Sequence, residues 1–283
     1  MSKSNLTSQR NVKHSMVGYF YMNNLPPVTR KIIIVNVFAF VIYRFSNFDF
    51  ISSLALYDVT SPHFHSYQLI THLFVHASLW HLFSNMITLL SFGPPLEYKF
   101  HSRRFLFFYL LTGVGASVFY LLVSYICQYN AHTAYMNYFL HPDPDFFNNY
   151  LKRFPNLYNN YYGFIYDYLN DRNNVAFIEK SKAIMAQLYS INDVPVVGAS
   201  GAVFGVLTAF AMLYKDALVG VMLIPMNMPA KVFVVLYGLY ELFAGIGGNV
   251  FDSVAHFAHV GGIVLAYIFV KIWNRGNRFK IIK

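Results

Sequence analysis

Four polar side chains, far apart in the chain, can between them carry out acyl transfer: His81, Asn85, Ser200 and His259. A serine hydroxyl is a poor nucleophile until a neighbouring base takes its proton, and neutral imidazole is the usual base. Ser200 and His259 supply that pair. The reaction also needs hydrogen-bond donors aimed at the oxyanion that develops on the attacked carbonyl. His81 and Asn85, four residues apart, sit on one face of any helix that holds them, and both can donate. Singly, each has a plainer role. Serine permits close helix packing, and asparagine and histidine hydrogen-bond between membrane helices. Only their joint placement argues for catalysis, and that placement depends on the elements that hold them.

Those elements are membrane spans. Of 283 residues, 56% are hydrophobic, 19% aromatic and only 12% charged, against about 25% charged in an ordinary soluble domain. One or two spans would not shift a whole composition so far. Apolar runs of roughly 20 residues predict six helices, at 28–47, 79–98, 104–126, 199–215, 230–247 and 255–274. The chain opens on a polar stretch, not on a secretory signal, so the run after Arg30 and Lys31 is expected to stay as the first span. Lys and Arg total 21. Fifteen lie in the N-terminal tail, the turns 99–104 and 215–231, and the C-terminal tail, whereas Arg44 stands alone at the opposite short-loop face. This asymmetry places both termini in the cytoplasm. The cations mark the ends of apolar runs and form no single basic face, so no nucleic-acid partner is expected. Cys127 is the only cysteine, which excludes an internal disulfide and a Cys-based metal site.

In this topology the second, fourth and sixth spans all begin at the outer surface. His81 and Asn85 fall in the first turns of the second, Ser200 begins the fourth, and His259 lies about one turn into the sixth. All four are therefore level beneath the outer face. Ser200 also brings its own N–H at a helix N-terminus, where unsatisfied donors and the macrodipole favour negative charge. Two small-residue ladders, Gly201-Gly205-Ala209 and Ala258-Gly262-Ala266, would let the fourth and sixth helices approach closely. Asp252, seven residues before His259, is expected in the loop and not behind the imidazole, so the prediction is a pair and not a triad. Glu241, inside the fifth span, has no partner that the sequence can name.

Segment 128–197 is different material, with eleven Asn, ten Tyr and six of the twelve acidic residues. The spacing of Phe147, Leu151, Phe154, Tyr158 and Tyr161, and the pattern over 176–190, predict two amphipathic helices resting on the outer membrane face; a low-complexity loop is the alternative. The chain thus divides into a cytoplasmic tail (1–27), three spans (28–127), an outer insertion (128–197), three more spans (198–274) and a basic cytoplasmic tail (275–283).

His81-Leu82-Phe83-Ser84-Asn85, then Gly198-Ala199-Ser200-Gly201, then Ala258-His259-Val260-Gly261-Gly262, in that order across six apolar runs, resemble the rhomboid family of intramembrane serine proteases. The resemblance covers about 28–127 and 195–274. It implies an all-α polytopic membrane protein, a six-helix bundle with a long outer insertion between the third and fourth spans. It further implies cleavage of single-pass transmembrane protein substrates near the outer face, among membrane lipids and without a cofactor or metal. Ser200 would be nucleophile, His259 general base, and His81 and Asn85 oxyanion donors; His76 matches a histidine that the family often has before the second span. The chain departs from the family pattern in lacking a Trp-Arg pair over 48–78 and in the length of its insertion.

Two other readings stay open. His63, His65, His72, His76 and His81 crowd one outer region, His256 and His259 are on the same side, and His72 and His76 have a spacing that could bind zinc on a helix, which suggests a metal-handling membrane protein. Against it, no H-E-x-x-H motif occurs. An inactive relative that only binds partners is the other.

Overall fold

The computed structural model describes residues 25–46, 49–190, 195–221, 224–247 and 256–279. Asp252 lies outside them. Each of the six predicted apolar runs contains a helix: α1 (Pro27–Phe45), α4 (Leu79–Phe100), α5 (Ser102–Leu140), α9 (Ser200–Leu213), α10 (Ala230–Gly247) and α11 (His256–Phe279). Between them lie α2 (Phe50–Leu54), α3 (Gln68–Thr71) with a 3-10 turn at His72–Phe74, α6 (Pro144–Leu151), α7 (Pro155–Asn170), α8 (Val175–Ser190), and strands β1 (Leu218–Val221) and β2 (Ile224–Pro229). By length and composition, Ser102–Ile126 and His256–Asn274 are each able to cross a membrane. The segment Gln68–Phe74 together with α4 forms a third candidate, bent by 92°.

α9 is the axis of the bundle. Every residue from Gly201 to Ala211 is buried, as expected of a helix apolar all round and enclosed by others. Lipid is as apolar as leucine, so close backbone packing must hold such helices together, and glycines provide it. A Cβ added at Gly262 of α11 would lie 2.1 Å from the carbonyl oxygen of Gly201, and one at Gly205 would lie 2.9 Å from Thr112 of α5. The α9 ladder is therefore shared: the Gly201 backbone meets Gly262 of α11 while its Cα faces Ala116 of α5, and Gly205 faces Thr112 of α5.

At the other end of the bundle Glu97, near the end of α4, is buried. It accepts hydrogen bonds from the Val28 N–H (2.9 Å), the Thr29 N–H (2.7 Å) and hydroxyl (2.8 Å), and the Ser102 hydroxyl (2.6 Å). A carboxylate thus satisfies the free first-turn N–H groups of α1, where the helix dipole also favours negative charge. It fastens α1 to the α4–α5 turn.

The insertion differs from the expectation of two surface helices. With no breaker after 126, the third apolar run continues as α5 to Leu140. Asp143 then caps α6, accepting from the Phe146 N–H at 3.0 Å, with Pro144 in the first turn. Pro155, which interrupts the apolar periodicity, starts a separate helix, α7. Their apolar faces pack on one another and on α8 around Tyr138, Phe147, Leu151, Ile165, Tyr168, Ile184 and Met185. The segment has its own aromatic core. The β1–β2 hairpin was not foreseen either; its antiparallel pairing runs from Leu218 opposite Pro229 to Val221 opposite Ile224.

Candidate active site

Ser200 is the first residue of α9. The approach to it is fixed by backbone pairing. Leu56 in the first loop and Val196 exchange hydrogen bonds of 2.9 and 2.8 Å, and the Gly198 N–H donates to the His72 carbonyl at 2.9 Å. His72 is itself held at both ring nitrogens, Nδ1 to the Gln68 carbonyl (2.7 Å) and Nε2 to Ser117 of α5 (2.9 Å). Gly198 has φ 110°, a conformation that L side chains rarely adopt. A Cβ there would also lie 2.6 Å from the His81 ring. Only glycine lets this loop pass the imidazole and turn into α9.

His259, in the first turn of α11, points Nε2 at the Ser200 Oγ, 2.8 Å away. Phe204, one turn below Ser200, stacks on the imidazole with ring centroids 4.3 Å apart and planes 16° from parallel. The close approach at Gly201 and Gly262 makes this reach possible.

His81 and Asn85 lie in the first two turns of α4, capped by Ser78, whose hydroxyl accepts from the His81 N–H at 3.1 Å. The Asn85 amide donates to the His81 carbonyl at 3.1 Å, which leaves its second N–H available. Ser200, His259, His81 and Asn85 all line one cavity of about 640 Å³, between α4, α9 and α10. Ser84, Thr88 and Ser91 of α4 continue its wall, with Phe233 and Tyr237 opposite and Val219 of β1 at the side. The four residues singled out by the sequence are thus brought together, and the Ser200 hydroxyl and the His259 imidazole are in hydrogen-bond contact. His76 is buried and meets His81 edge-on, with ring centroids 5.1 Å apart. Burial, and then the neighbouring His81 charge, push its imidazole down to about 3.

The sequence missed what stands behind His259. Glu241 of α10, 2% exposed, places Oε2 2.9 Å from His259 Nδ1 and 2.6 Å from His256 Nδ1. A carboxylate, which the sequence reading did not place there, holds the far side of the imidazole. A signal existed, since His256 and His259 are three residues apart and so share one helix face.

The histidines of the first loop do not gather around a common point. His63 packs on Tyr57, His65 stacks on Tyr67, and His72 is committed to Gln68 and Ser117. Among the described residues, Glu241, His256 and His259 bring possible metal donors within 4.8 Å of one another. Ligands about 2.0–2.1 Å from a tetrahedral zinc stand roughly 3.4 Å apart. The separations of 2.6 and 2.9 Å here are hydrogen-bond lengths instead.

Comparison with known proteins identifies the family. The Rhomboid domain matches residues 63–130 and 175–275. These segments carry all four candidate residues and omit most of the insertion. RHOMBOID-like protein 12, mitochondrial, of Arabidopsis thaliana is 34% identical over 112 residues. That match spans 38% of this chain and 30% of the relative.

Proposed function

The chain belongs to the rhomboid family, a family of helical membrane proteins, and on that premise we propose that it is an intramembrane serine endopeptidase. The observation that carries the reading is the 2.8 Å contact between Ser200 Oγ and His259 Nε2, made inside a cavity that His81 and Asn85 also line.

In this mechanism the Ser200 oxygen attacks the carbonyl carbon of a substrate peptide bond while its proton passes to His259 Nε2. The oxyanion is received by the Ser200 N–H, at the free N-terminus of α9, together with His81 and Asn85. The intermediate collapses as His259 protonates the leaving amine, which leaves the acyl group on Ser200. A water deprotonated by the same imidazole then attacks the acyl carbon, and the acid is released as His259 returns that proton to the Ser200 oxygen.

Six spans, with both termini on the cytoplasmic side and segment 128–197 outside, set the depth of the reaction. If the membrane is mitochondrial, as its name places the Arabidopsis relative, the matrix takes the place of the cytoplasm. The fourteen residues of α9 measure about 21 Å, short of a hydrocarbon core of about 30 Å. With its C-terminal end at the inner interface, α9 begins below the outer one, and Ser200 meets its substrate there. The substrates are single-pass transmembrane proteins entering from the lipid.

The test is covalent labelling with a fluorophosphonate, alongside cleavage of a single-span substrate by detergent-purified protein. Wild type should be labelled and active, and Ser200→Ala should lose both. Labelling that persists in Ser200→Ala removes the assignment.

A further inference from the structure

A carboxylate buried within a membrane helix is costly and is retained where it has a partner and a task. Glu241 has two imidazole partners, and one of them is the base proposed above. The geometry points to Glu241 as a positioning residue that converts the Ser200–His259 pair into a Ser-His-Glu triad, with His256 as a second donor to the same carboxylate oxygen. This inference rests on the serine-protease reading.

The argument runs through the proton positions. A carboxylate only accepts hydrogen bonds. With Oε2 at 2.6 Å from His256 Nδ1 and 2.9 Å from His259 Nδ1, both rings carry their hydrogen on Nδ1. The lone pair of His259 is then on Nε2, which faces the Ser200 hydroxyl at 2.8 Å. That tautomer is the one that accepts the serine proton. Once Nε2 is protonated, the Nδ1–H remains on Glu241, so a carboxylate lies beside the imidazolium as it forms. In surroundings from which water is excluded, such a contact is stronger than in water. The Phe204 ring holds the imidazole face and can do neither of these things.

His256 explains how the carboxylate is kept in place. It lies one turn before His259 on α11, on the same face, and makes the shorter of the two bonds. A single imidazole would leave Glu241 free to swing about its own helix, whereas two donors from one helix pin α10 to α11 at the level of the base.

The test uses the full chain in detergent, as wild type, Glu241→Gln and His256→Asn, with kcat and KM measured on one single-span substrate. It is joined by ¹⁵N NMR of histidine-labelled wild type to read the His259 tautomer. A glutamine can turn its amide N–H toward Nδ1 and so favour the wrong tautomer. In a soluble serine protease the equivalent change costs roughly 10⁴ in kcat. Phe204 and the Ser200 contact still orient His259 here, so the expected loss is smaller, about 10²-fold in kcat with KM within about twofold. His256→Asn should lose less, about threefold, because Glu241 remains. Wild-type His259 should carry its hydrogen on Nδ1. Full activity of Glu241→Gln overturns the inference. So does an Nε2–H imidazole in wild type, a result that needs neither a folded variant nor turnover. A wild type that is neither labelled nor active removes the protease reading instead, and the tautomer still decides on Glu241.

Discussion

The tightest backbone contact around the proposed site, between Gly262 of α11 and Gly201 of α9, lies beside both Ser200 and His259. Gly262→Ala tests whether that closeness is what brings them together. The new Cβ would stand 2.1 Å from the Gly201 carbonyl oxygen, 3.0 Å from its carbon and 3.4 Å from its Cα. All three atoms are backbone, so no rotamer change can relieve the clash. Even in close Cα–H···O contacts between helices, carbon and oxygen settle at about 3.3 Å, so the helices must part by about 1.2 Å. Overpacking of this kind costs about 1–3 kcal/mol of stability, which a bundle of this size can absorb. The site cannot absorb the displacement as easily. Gly201 follows Ser200 directly and Gly262 is three residues past His259, so the shift falls on a 2.8 Å hydrogen bond and carries it past the usual limit of about 3.2 Å. A misplacement of about 1 Å costs on the order of 10² in rate. We therefore expect kcat/KM to fall about a hundredfold on a single-span substrate, and fluorophosphonate labelling to slow in step. Thermal unfolding followed by circular dichroism should shift only modestly. Gly163→Ala is the control, since nothing lies within 4 Å of its added Cβ and alanine favours a helix by roughly 0.5–1 kcal/mol. If Gly262→Ala keeps kcat/KM within about threefold of wild type, the helix contact does not set the Ser200–His259 distance and this reasoning is wrong.

Asn85→Ala should lower kcat by about tenfold with KM nearly unchanged; losing one such donor in a soluble protease costs roughly 10²–10³, but His81 and the Ser200 N–H remain, and a higher KM at constant kcat would make Asn85 a substrate-positioning or packing residue instead. Acid should destabilise the fold through His76, whose imidazole is lowered to about 3 by burial from about 6.5 when unfolded: between those values the unfolded chain binds the extra proton, so stability falls as pH drops below about 6.5. The melting temperature in detergent should therefore decline more steeply from pH 6.5 to 5 in wild type than in His76→Leu, and parallel slopes would show that His76 carries none of the effect.

Much of the site was legible because membrane insertion reduces a three-dimensional question to one of depth. Once apolar runs and their flanking cations order the helices, His81, Asn85, Ser200 and His259 fall at one level, and the structure gathers them around one cavity. Gly201 and Gly262 were readable for the same reason, since a small residue in a membrane helix marks a place where backbones meet. Depth says nothing about rotation or lateral neighbours. Whether Gly205 faces α11 or α5, and whether α5 stops at the edge of its apolar run or continues to Leu140, depends on side-to-side packing. In the insertion Pro155 announced a break, but an aromatic core closing around Tyr138 and Phe147 requires contacts between helices with no common period. Glu241 shows the limit best. Its sequence position states that a buried charge needs a partner, but 15 and 18 residues separate it from His256 and His259. Only the folded packing of α10 against α11 turns one carboxylate toward two imidazoles, because hydrogen bonds are set by distance and direction in space, which order along the chain does not encode.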